Sequence, residues 1–125
     1  MKFKYENPIS SRSVIKATVH KDGKLGFSTG AAEFMELVSN RYFKVATNAE
    51  DSTDDNLYLV LSDAEESGVF KVNKAGKYYY LRIKHILDRY KMDYKEEKII
   101  FDIEENKEED MIYYTLKKRK PIRQG

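Results

Sequence analysis

The chain contains no cysteine, which excludes a disulfide framework and cysteine-ligated zinc or iron–sulfur sites. Histidine is scarce: His20 and His85 are the whole supply. They fall in different strand and helix contexts with no nucleophile pattern beside them, so they read as ordinary surface histidines rather than as parts of a triad. No apolar stretch approaches the ~18 residues that a membrane-spanning helix needs. The start, Met1-Lys2-Phe3-Lys4-Tyr5-Glu6-Asn7-Pro8, has no apolar core of a secretory signal. The expected compartment is therefore the cytoplasm, with no membrane partner. No GxxxxGK[ST] or GxGxxG loop is present to cradle a phosphate. Asp51-Ser52-Thr53-Asp54-Asp55-Asn56 offers calcium-type oxygens but lacks the sixth-position Gly and twelfth-position Glu of an EF-hand loop, and reads as a solvated loop. The expectation is a protein without catalytic activity, cofactor or metal.

Tryptophan is also missing, and there are only two Pro and six Gly, yet ten Tyr and six Phe are present. Those aromatics favour strands and argue against disorder. The length of 125 residues suits one domain with its own core. The net charge is only +2, but it conceals alternating blocks. Asn48 to Glu66 holds seven acids and no base, whereas Val69 to Lys91 holds seven bases against Asp88. A second acidic run, Glu104 to Asp110, precedes a basic tail, Lys117-Lys118-Arg119-Lys120-Pro121-Ile122-Arg123. Such blocks are either solvated loops and a frayed end, or a surface with a patchy potential whose basic part faces a polyanion.

Hydrophobic periodicity predicts strands, two short helices and a repeat. Val14 to His20 alternates, Lys21-Asp22-Gly23-Lys24 is a turn, and Leu25 to Phe27 returns. Ser28-Thr29 supplies an N-cap. Ala31, Phe34, Met35 and Val38 then form the apolar stripe of a helix. Tyr42 to Ala46 and Leu57 to Leu61 are strands around the acidic loop. The second half follows the same order. Strands at Val69 to Val72 and Lys77 to Leu81 flank a turn at Asn73 to Gly76. Ile83, Ile86, Leu87 and Tyr90 form the next stripe. Lys98 to Ile103 and Met111 to Leu116 are strands around the acidic run 104–110. Gly23 matches Gly76, and Phe34 matches Leu87. The expected fold class is α+β: two tandem ββαββ-type repeats, mostly antiparallel, with two short helices, in a single compact barrel-like domain. Residues 1–12 form an arm and 13–118 the domain, with repeats at about 13–62 and 68–117. Residues 119–125 form a basic tail.

The segment Asn73-Lys74-Ala75-Gly76-Lys77-Tyr78-Tyr79-Tyr80-Leu81-Arg82-Ile83-Lys84-His85-Ile86-Leu87, followed by Tyr94 to Ile103, resembles the SpoVT/AbrB swapped-hairpin domain. It has a basic-x-Gly-basic turn, a short strand, a short helix with Leu near its end, and closing strands. His20-Lys21-Asp22-Gly23-Lys24-Leu25-Gly26-Phe27 looks like the same element, and two copies in one chain are similar in layout to the MraZ branch. The family's proline after the second strand is replaced by Ser28 to Gly30 and by Leu81-Arg82. The resemblance implies a swapped-hairpin barrel and DNA binding through basic residues at the turns and helix starts.

From the residues themselves, clustered Lys and Arg reward phosphate contact by counterion release. Tyr78 and Tyr80 fall on one face of their strand and Tyr79 on the other. If Tyr79 packs the core, the other two become platforms for bases; otherwise they are cross-strand packing with hydroxyls at the rim. The candidate nucleic-acid-binding residues are Arg12, Lys21, Lys24, Lys71, Lys74, Lys77, Tyr78, Tyr80, Arg82 and Lys84. The expected function is a DNA- or single-strand-binding regulatory or accessory protein. The alternative is an assembly module, including a homo-oligomer, that binds no nucleic acid.

Overall fold

The computed structural model describes residues 1–3, 14–38, 41–51, 53–63 and 65–120. Among them the chain forms nine strands and two helices: β1 (Lys16–Val19), β2 (Lys24–Phe27), α1 (Thr29–Phe34), β3 (Tyr42–Ala46), β4 (Leu57–Ser62), β5 (Phe70–Lys71), β6 (Asn73–Ala75), β7 (Tyr78–Arg82), α2 (Lys84–Arg89), β8 (Ile100–Glu108) and β9 (Met111–Lys118). Every pairing is antiparallel, in the order β5-β3-β4-β9-β8-β1-β2-β7-β6. The two outermost strands, β5 and β6, are consecutive pieces of one segment bent at Val72. The sheet therefore nearly closes on itself as a barrel. At the bend, the Val72 amide donates to the Arg41 carbonyl at 2.8 Å, and its side chain is fully buried.

Alternation fills the interior. Ala17, Leu25, Leu59, Leu81, Phe101 and Leu116 point inward from six different strands and are all fully buried. Because strand side chains alternate, the odd-numbered core residues of β1 and β2 leave Lys16, Thr18, Lys24 and Gly26 on the outer face.

Both helices are single six-residue pieces, so the domain is mostly β rather than evenly α+β. Ser28 caps α1, accepting from the Ala31 amide at 3.1 Å, whereas α2 starts at Ile83 without a side-chain cap. Each helix is stopped by a left-handed residue, Glu36 (φ 52°) and Lys91 (φ 55°). Each stop is followed by a reaching-back amide, Leu37 to the Ala32 carbonyl and Met92 to the Leu87 carbonyl, both at 2.9 Å. This early stop corrects the expected stripes. Ala31 and Met35 are buried, but Phe34 and Val38 are exposed. In α2 Ile86 and Leu87 are buried while Tyr90 is half exposed.

Two expected loops are strands. Asn73 to Ala75 pairs with β7, and the turn falls at Gly76-Lys77 instead. The acidic run expected as a loop belongs mostly to β8, which continues to Glu108 against β9. Glu104 stands opposite Thr115, Glu105 opposite Tyr114 and Glu108 opposite Met111, and all three glutamates are exposed. The bend at Val72 also gives the second half one strand more than the first. No helix among the described residues is long and apolar enough to cross a membrane.

Candidate nucleic-acid interface

The strand Tyr78–Arg82 has Tyr79 and Leu81 turned to the core and Tyr78, Tyr80 and Arg82 outward. Pairing with β2 sets Lys24 opposite Arg82 and Gly26 opposite Tyr80. The Tyr78 and Tyr80 rings stack at 6.3 Å between centroids. Lys24 Nζ lies 5.0 Å and the Arg82 guanidinium 5.5 Å from the Tyr80 centroid, and Arg82 Nη2 donates to the Tyr80 hydroxyl at 3.2 Å. Tyr80 is thus a ring clasped by two cations. It is only 8% exposed, which corrects the expectation of two open platforms: the clasp covers Tyr80 and leaves Tyr78 as the accessible ring. Lys24 also pairs with Asp22 at 3.2 Å. The Lys24 hydrogen bond holds the Asp22 carboxyl below the usual carboxylate range.

Beyond Tyr78 the outer face continues onto β1. Tyr78 crosses over Gly26, where any Cβ would strike its hydroxyl, and meets His20 edge-on with a hydrogen bond between Nε2 and Oη. Desolvation by the surrounding protein pushes the Tyr78 phenol above its ordinary value. A groove of about 580 Å³ opens here, lined by Thr18, His20, Gly26, Tyr78 and the nearly buried Tyr94. Four lysines, Lys16, Lys21, Lys95 and Lys98, line it together with Glu96 and Glu97. Tyr94 donates to Asp88 at 2.8 Å, and Asp88 is paired with Lys84 at 2.9 Å, so Tyr94 is tied to α2.

The remaining candidates are spread around this face. Lys84 is committed to Asp88, whose carboxyl it holds below the usual range. Lys74 lies over the Tyr79 ring at 5.6 Å. Lys71, beside Tyr42 on β5, and Lys77, in the β6–β7 turn, are exposed. The Gly23-Lys24 and Gly76-Lys77 turns do not converge: β2 and β7 run antiparallel, so the turns sit at opposite ends of that pair. Arg12 lies outside the described residues. Sequence reasoning missed Lys16, His20 and Gly26. The signal for Gly26 was available, because a strand glycine often marks a close approach, but its partner depends on the β2–β7 pairing.

The opposite wall differs. Outward residues of β4 and β9 are Tyr58, Val60, Tyr113 and Thr115, paired as Tyr58 with Thr115 and Val60 with Tyr113. The cations there are matched: Lys44 with Glu66 at 3.0 Å, Lys117 with Glu104 at 3.0 Å, and Arg119 with Asp102 at 2.8 Å. The acidic loop is folded on Asp54, which accepts from Tyr58 Oη at 2.6 Å, the Asn56 amide at 2.9 Å and Asn48 Nδ2 at 3.1 Å. His85 stacks flat on Phe70 at 5.5 Å. Among the described residues no group of three or more His, Cys, Asp or Glu is arranged to hold a metal.

No protein-family model matches the chain, and neither a curated protein nor a solved structure matches it.

Proposed function

We propose that the protein is a non-catalytic, cytoplasmic nucleic-acid-binding module, a DNA-binding regulatory or accessory factor that uses the outer face of β1, β2 and β7. One observation carries this reading: Lys24 and Arg82 clasp Tyr80 while Tyr78 stands open beside them and Lys16 lies on the neighbouring strand. Cations held over aromatic rings beside an accessible ring meet phosphates and bases together. Lys71, Lys74 and Lys77 extend the positive rim, and Lys21 borders the groove.

The same reading includes a tandem swapped-hairpin duplication of the SpoVT/AbrB type. It is supported by the exchange of partners between halves. Each second strand pairs with the other second strand, β2 with β7, and each fourth with the fourth, β4 with β9. The first strand of each half pairs with the third of the other, β1 with β8 and β5 with β3. The amides of Val19 and Val72 donate to Ile99 and Arg41 in matching places. On this alignment Glu36 answers Lys91, so Ala32, not Phe34, answers Leu87.

The test is fluorescence anisotropy with single-stranded and duplex oligonucleotides from about 50 mM salt upward. Binding should weaken steeply with salt. The double variant Lys24→Glu/Arg82→Glu should lose about 100-fold in affinity, because two attractions become repulsions. No binding at about 50 mM salt, or unchanged affinity in a folded double variant, would overturn the proposal.

A further inference from the structure

Resting on the nucleic-acid reading above, we propose that the groove lined by Tyr78 and Tyr94 takes one unstacked nucleobase of a single strand, making the protein selective for single-stranded over duplex nucleic acid. The volume of about 580 Å³ is within the range of small-ligand pockets, roughly 300–1,000 Å³. Its chemistry suits a base. The Tyr78 ring offers an aromatic wall, the Thr18 hydroxyl offers a donor and an acceptor for a base edge, and the Tyr78 hydroxyl keeps the hydrogen-bonding capacity that its bond to His20 leaves over. Lys16, Lys21, Lys95 and Lys98 outnumber Glu96 and Glu97 in the lining, so the groove keeps a net positive charge for the flanking phosphates.

Both tyrosines are held in place before any ligand arrives. Tyr78 is fixed by His20 and by the bare backbone of Gly26 beneath it. Tyr94 is fixed through Asp88 to Lys84. Such preorganisation removes part of the ordering cost of binding. Tyr78 is also the shared boundary between the groove and the Tyr80 clasp. A strand whose phosphates run along Lys24 and Arg82 can therefore turn one base past Tyr78 into the groove. A duplex must first unpair and unstack that base, a free-energy cost that the single strand does not bear.

The experiment compares a roughly 12-nucleotide oligothymidylate with the same strand annealed to oligoadenylate, using the full chain and the variant Thr18→Phe. Phenylalanine suits a strand, occupies the groove and leaves every charge in place. The wild type should bind the single strand at least about tenfold more tightly than the duplex, and Thr18→Phe should erase that margin by weakening the single strand more than the duplex. A second readout needs no variant: thymidine monophosphate added to the wild-type protein should shift the amide resonances of Thr18 and Gly26. Equal affinity for both forms, or thymidine monophosphate shifts that bypass Thr18 and Gly26, overturns the base groove and leaves the nucleic-acid reading standing. Failure of both oligonucleotides to bind at about 50 mM salt overturns that reading and the groove with it.

Discussion

The β2–β7 and β4–β9 pairs occupy corresponding positions on opposite walls of the barrel, and each is built on a four-residue antiparallel register. Inside they are interchangeable in kind: Leu25 and Leu81 on one wall, Leu59 and Leu116 on the other, all fully buried. Outside they diverge. One wall carries cations laid on an aromatic ring. The other carries tyrosine hydroxyls that reach acids, Tyr58 to Asp54 and Tyr113 to Glu108, and a cation matched by a carboxylate, Lys117 with Glu104. The inner faces answer to packing, which demands apolar volume at both walls. The outer faces answer only to solvent and partners, so that is where two similar ladders acquire different chemistry.

The comparison can be broken most forcefully from inside. Leu81→Ala and Leu116→Ala should each cost about 2–5 kcal/mol in chemical denaturation, because both leave a cavity in a closed core. A loss confined to one of them would show that the walls are not equivalent supports. A smaller effect separates the outer faces. Tyr80→Ala should cost about 2–3 kcal/mol, since it removes a nearly buried ring together with its two cation contacts. Tyr113→Ala should cost about 1 kcal/mol. Equal losses would remove the distinction between a clasped tyrosine and a half-buried one.

The smallest effect is a difference in acid sensitivity. Hydrogen bonds, first from Tyr58 and then from the Asn56 amide and Asn48, hold the Asp54 carboxyl below the usual carboxylate range. A carboxyl depressed in the folded state stabilises it above the ordinary value and loses that contribution as pH falls below about 4. The melting temperature of the wild type should therefore fall more between about pH 6 and pH 3 than that of Asp54→Asn. Parallel curves would show that the β4–β9 wall draws no stability from this carboxylate.

Much of the element order was legible from periodicity. Tyr42–Ala46 matches its expected bounds, and Met111 opens β9 as read from the sequence. The errors share a cause. Glu104 to Asp110 looks like a loop because its acids suppress strand propensity, yet pairing with β9 overrides that local preference. Asn73 to Gly76 looks like a turn, yet β7 recruits Asn73 to Ala75. Phe34 and Val38 fit a helical stripe that Glu36 cuts short, and a left-handed glutamate leaves no sequence signature. For the candidate site, the alternation of Tyr78, Tyr79 and Tyr80 was readable. The clasp of Tyr80 and the junction of Tyr78 with His20 were not, because both depend on strands far apart in sequence.

The bend at Val72 has a consequence for self-association. A sheet with free margins offers unpaired amides and carbonyls as a template for another chain to extend. Here both margins belong to one hexapeptide, Phe70 to Ala75, whose two ends are already bonded to β3 and β7. Peeling that hexapeptide away would bare two templates at once, one on each side of the seam. Resistance of the native barrel to fibrillar stacking thus depends on how firmly six residues stay seated, with the Val72 side chain as their anchor in the core.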